Sequence, residues 1–207
     1  MLQRGAAGVR VAAVLAVIAG VLITAIGPTT VTGLLPYFTI QSNVLYAVVA
    51  LVAAFRAVPP VIKGAATLYI TITGVVYHLL LANPASPFWE GPIHRNALHA
   101  VGNQLLHTVV PLLAVAIWLL VDERGTLRWR YAAYWLAYPL GYLAFALIRG
   151  LIVHTYPYGF VDAGALGYGG VALSAVALGV AFWLLGLGLC ALDRVPMRRR
   201  PPVGQTL

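Results

Sequence analysis

Thr39, Ser42, Asn43 and Tyr46 fall at i, i+3, i+4 and i+7 of one apolar run, so in a helix they share a face. Further along, His99, Asn103 and His107 recur at i, i+4 and i+8 and form a second polar stripe. Together the stripes bring hydroxyls, amides and imidazoles into surroundings that are otherwise aliphatic, where such groups are expensive. A threonine hydroxyl is a poor nucleophile until a base takes its proton, and an imidazole with an ordinary pKa near 6.5 suits that task at neutral pH. His107 is the most informative single residue. An ionisable side chain inside an apolar helix is either part of a functional site or a neutral group hydrogen-bonded between helices, and its position alone leaves both readings open.

The elements that must hold these residues are membrane helices. The chain has 207 residues, of which 61% are hydrophobic and only 9% charged, with a mean hydropathy of +0.90; soluble domains carry roughly 25% charged residues. Six runs have the length of about 20 apolar residues that a span needs: 10–27, 37–56, 64–82, 98–121, 131–150 and 168–191. The expected fold is therefore all-α, a single domain of six transmembrane helices over residues 1–207, with 192–207 as a basic tail. The first run resembles a signal peptide but is longer than an h-region, and no good cleavage site follows it, so it reads as a retained span. A formal net charge of +8 raises the question of nucleic acid. The basic residues, however, sit in short segments between apolar runs, as topology determinants do, and no nucleic-acid partner is expected. Eleven of them fall on one side and only Arg95 and Arg149 on the other, which puts both termini in the cytoplasm. Cys190 has no partner for an internal disulfide.

With that orientation His78, His94, His99, His107 and His154 all lie in the outer half or the outer loops, as do Glu90 and Asp162. Thr39 is 17 residues from Arg56, His78 15 from Lys63 and His107 15 from Asp122, so all three stand roughly 22–26 Å above the inner surface at about 1.5 Å per residue. A first loop that dips into the membrane, between Gly27 and Pro36, would reconcile this with counts from the outer ends. His78 shares a stripe with Thr67, Thr71 and Gly74, a pattern typical of close helix packing. Tyr131, Tyr134, Tyr138 and Tyr142 suggest an interfacial belt and a packed face. Arg149 either pairs with Asp162 or receives a substrate carboxylate. No histidine stands at ligand spacing from a thiolate or a paired carboxylate, so neither a metal nor another cofactor is expected. The familiar motifs of soluble hydrolases and nucleotide-binding enzymes do not occur.

Three segments resemble the androgen-induced-gene and androgen-dependent TFPI-regulating protein family of six-span membrane proteins: Tyr37-Phe38-Thr39, Asn103-Gln104-Leu105-Leu106-His107-Thr108-Val109-Val110-Pro111, and Tyr156-Pro157-Tyr158-Gly159-Phe160-Val161-Asp162. The resemblance implies a threonine hydrolase of lipidic esters, such as fatty-acid esters of hydroxy fatty acids, in a bacterial cytoplasmic membrane. It assigns the nucleophile to Thr39 and the base to His107. Ser42, Asn43, His78, Asn103, Arg149 and Asp162 are then the candidates for binding substrate or orienting the dyad, with Asn43, His78 and Asn103 lining the pocket. Two other readings stand beside it. One is a non-enzymatic protein that binds lipid or serves assembly; the other is a haem protein ligated by His78 and His107.

Overall fold

Proline, glycine and short polar side chains end and begin the helices as their backbone chemistry requires. Pro60 opens the third long helix, where its missing N–H costs nothing. The side chain of Asn96 accepts the His99 amide at 2.8 Å to cap the fourth. That of Asp162 accepts the amides of Gly164 and Ala165 to cap the last. The computed structural model describes residues 2–26, 31–89, 91 and 96–195. Within these it is all-helical, and six helices are long and apolar enough to cross a membrane: Gly5–Thr24, Phe38–Phe55, Pro60–Leu81, Ala97–Leu120, Arg130–Val153 and Ala163–Leu192. Glu90, His94, Arg95, residues 27–30, and the basic tail beyond Val195 lie outside the described residues.

The first four spans enclose a common core, each packed against the next and the fourth back against the first. Close approach between spans one and four is made at Gly20, which faces Leu106, and at Gly102, which faces Ile23 and Thr24. Spans five and six stand outside this ring, and span six rests on span three. At one end of the bundle Arg10, Lys63 and Asp122 join spans one, three and four, with both cations donating to the same carboxylate oxygen at 2.7 and 2.8 Å.

Several boundaries differ from the hydropathy reading. Span five is two helices, Arg130–Tyr134 and Ala137–Val153, because Trp135 turns inward to donate its indole N–H to the Val61 carbonyl at 3.0 Å. Span six starts at Ala163 rather than 168, and Gly167, at φ 66 and ψ 165, breaks it after one turn. The first loop contains a short helix, Val31–Leu34. Leu34 packs with Ile40 and Leu106, which brings the loop to the level of the middle of span four.

Spans three and four each contain one π-helical turn, Tyr77–Leu81 and Leu105–Val109, in which the amides of Ala82 and Val110 bond back five residues to Tyr77 and Leu105. These turns hold His78 and His107.

Candidate active site

Thr39 is the second residue of span two, after Tyr37 in an extended conformation. Its amide belongs to the first turn and has no intrahelical acceptor. That amide donates instead to the Tyr158 hydroxyl at 3.3 Å. The Thr39 side chain is buried, with Oγ1 3.1 Å from His107 Nε2 and 3.3 Å from the Tyr158 hydroxyl oxygen.

His107 reaches Thr39 because of the π turn and the proline that follows. In π register the Leu106 carbonyl would accept from residue 111, but that residue is Pro111 and has no N–H. Asn43 of span two supplies the missing donor, its Nδ2 donating to Leu106 O at 3.3 Å and to Thr39 O at 2.8 Å. One fully buried amide thereby ties the helix of Thr39 to the helix of His107. The His107 carbonyl, also left without the Pro111 amide, packs where Gly74 of span three has no side chain.

Hydrogen-bond chemistry fixes the direction of the chain of contacts. The Asn103 carbonyl, 3.0 Å from His107 Nδ1, can only accept, so Nδ1 carries the proton and Nε2 presents its lone pair. Thr39 Oγ1–H therefore donates to Nε2, and Oγ1 in turn accepts from the Tyr158 hydroxyl. Asn103 thus acts on the imidazole through its backbone, while its side chain donates to the Tyr77 hydroxyl. The Tyr77 ring stacks on His107 with centroids 4.2 Å apart.

A second histidine–threonine pair runs the other way. Thr108 Oγ1 donates to Gln104 Oε1 at 2.7 Å, so its 2.9 Å contact with His78 is made by a donating Nε2–H. That imidazole cannot activate that hydroxyl. His78 is exposed, packs edge-on against Tyr77 and does not reach Thr39, contrary to its expected place in the pocket wall. Nor do His78 and His107 present two free nitrogens to a common space, since each Nε2 faces a threonine.

The cavity beside Thr39 has a volume of about 100 Å³ and is lined by different residues from those expected. Ile72 and Val76 of span three, Leu140 and Leu143 of span five, and Leu178 and Phe182 of span six line it, together with Phe38, Thr39, Tyr142 and Tyr158. Asn43 and Asn103 support the dyad from behind, and Ser42 is wholly buried in span two. The Arg149–Asp162 ion pair does not form: Arg149 donates to the Thr155 carbonyl at 2.9 Å, and Asp162 is occupied in capping span six. Neither is hydrogen-bonded to Thr39 or His107. No group of three histidine, cysteine or acidic side chains among the described residues could hold a metal ion.

Tyr158 is the contact that sequence reasoning missed. It lies in the segment from Tyr156 to Asp162, one of the three that carry the resemblance, and that resemblance was the signal available for it. Comparison of the chain with protein-family models, with curated proteins and with solved structures returns no match.

Proposed function

We propose that this protein is an intramembrane hydrolase of lipidic esters, with Thr39 as nucleophile and His107 as general base. The observation that carries the reading is the 3.1 Å contact from Thr39 Oγ1 to a His107 Nε2 whose lone pair is fixed toward it by the Asn103 carbonyl. The similarity of three sequence segments to a family of six-span threonine hydrolases supports the same assignment.

In the proposed reaction His107 Nε2 takes the proton from Thr39 Oγ1 as that oxygen bonds to the acyl carbon. The tetrahedral adduct expels the alcohol, which leaves with the proton from His107, and an acyl-threonine ester remains. Water then attacks the ester with His107 again as base, releasing the fatty acid and regenerating Thr39. The apolar cavity between spans three, five and six receives the acyl chain with its carbonyl at the Thr39 end. The concentration of basic side chains at the end carrying Arg10, Lys63 and Arg124 favours cytoplasmic termini and a site in the outer half of a bacterial cytoplasmic membrane.

The test is hydrolysis of a long-chain 4-methylumbelliferyl ester in detergent, with labelling by an alkyl fluorophosphonate. Thr39→Ala and His107→Ala should each lower turnover by at least about 1,000-fold, and the double variant should be no worse than either. A folded Thr39→Ala protein that still hydrolyses the ester or still takes up the label in this pocket would overturn the reading. Stoichiometric fatty-acid binding by a wild type that neither turns over nor labels would make it a lipid-binding protein instead.

A further inference from the structure

Tyr158 is 119 residues from Thr39 in sequence, yet its hydroxyl oxygen stands 3.3 Å from both the amide nitrogen and Oγ1 of that residue. Resting on the hydrolase reading above, we propose that Tyr158 is a catalytic residue, its hydroxyl forming with the Thr39 amide the pair of donors that receives the oxyanion.

The argument begins with what each group can donate. The Thr39 N–H belongs to the first turn of a helix, where the partial positive charge of the unpaired amides favours an anion. In the resting state its acceptor is the phenol oxygen of Tyr158, and the phenol proton points to Oγ1. Both contacts are long for hydrogen bonds, as catalytic contacts often are before substrate binds. When Oγ1 bonds to the ester carbon, the carbonyl π electrons move to the substrate oxygen. Oγ1 becomes a weak acceptor, and the new charge lies beside the same two donors. The phenol proton and the amide proton then turn to that oxygen; no proton is transferred, and His107 alone carries the proton of Thr39.

The surroundings keep Tyr158 in the form this role needs. Burial pushes its phenol up to about 12, so the hydroxyl stays a donor at neutral pH. The ring is held by stacking on Phe160 at 5.0 Å and by edge contact with Tyr37 at 5.7 Å, and it lines the same cavity as Thr39.

The experiment compares purified wild type, Tyr158→Phe and a full-length protein carrying 2,3,5-trifluorotyrosine at position 158, using 4-methylumbelliferyl palmitate. Tyr158→Phe should lower kcat by about 100-fold, with KM changed less than about two-fold if ground-state binding does not use the hydroxyl. It should weaken a long-chain trifluoromethyl ketone, which forms a tetrahedral adduct, by a similar factor while leaving the matching ether analogue unaffected. The fluorinated protein should stay active, with the alkaline limb of its pH profile moved to lower pH. Wild-type kcat in Tyr158→Phe, or equal loss of ketone and ether affinity, overturns the proposal. Should the phenylalanine variant not fold, an unmoved alkaline limb in the fluorinated protein overturns it. An active wild type with an indifferent Tyr158→Phe removes only this assignment, whereas a wild type inactive and unlabelled at Thr39 removes the hydrolase reading with it.

Discussion

Lys63 and Asp122 form an ion pair at 2.8 Å, and 15 residues along from each, in spans three and four, stands a histidine: His78 and His107. The pair acts as a common origin for the two helices, so equal residue counts put the two imidazoles at similar levels. Level does not decide function, however. Span four turns its histidine inward to a buried hydroxyl, and span three leaves its own exposed.

Asp122 answers two cations with one carboxylate oxygen, and all three side chains are largely shielded. Replacing Asp122 with Asn would leave Arg10 and Lys63 without a countercharge where spans one, three and four meet. Loss of about 3 kcal/mol is expected, read as a lower unfolding midpoint in detergent. An unchanged midpoint would mean that water or lipid headgroups already satisfy the two cations.

A Cβ placed on Gly74 would lie 3.1 Å from the His107 carbonyl oxygen and 3.1 Å from Pro111 Cβ. Gly74→Val should therefore push span four away from span three, destabilise by about 1–3 kcal/mol and separate His107 from Thr39. Turnover should fall more than stability accounts for, with Gly74→Ala milder on both. Full activity in Gly74→Val would show that His107 does not depend on this contact.

Gly179 borders the apolar cavity from span six, and a Cβ there meets no atom within 4 Å. Gly179→Phe should fill acyl space without straining the fold. The expected result is a kcat/KM about ten-fold lower for a palmitoyl ester, with little change for a butanoyl ester. Equal loss for both, or none, would move the acyl chain elsewhere.

Topology can be read from single cysteines in a Cys190→Ser background. Ala85, exposed in the third loop, should as cysteine react with a membrane-impermeant maleimide from outside intact cells. Thr126, in the loop that carries Arg124 and Arg128, should react only after permeabilisation. The reverse pattern would invert the orientation and put the dyad in the inner half.

The six spans were legible because hydropathy over about 20 residues reports length and composition, which a helix crossing lipid must satisfy. Thr39 and His107 were singled out by residue type and by resemblance, and the structure brings their side chains together. Their immediate surroundings were less legible. His78 and His107 stand at matching counts from Lys63 and Asp122 and each sits in a π turn, and the hydrogen-bond directions and the exposure of His78 are what set their surroundings apart. Arg149 and Asp162 suggested a pair by charge, but each satisfied a nearby backbone group instead. Asn103 was expected to orient the imidazole, and it does so by a carbonyl that every residue type possesses. Tyr158 sits in the loop before the last span with no periodicity to mark it, and its contact with Thr39 belongs to the tertiary fold alone.

The π turn at Leu105–Val109 amounts to one residue more than a regular helix requires. Deleting a residue there would restore the ordinary register, and because the wide turn absorbs the extra residue the change would fall on the turn itself rather than on the flanking helix. Leu106 would no longer offer its carbonyl to Asn43, and the imidazole would leave the hydroxyl it now faces. Span four therefore carries a surplus of chain length that its own helix would be more regular without, and that surplus is what brings the His107 imidazole to the Thr39 hydroxyl.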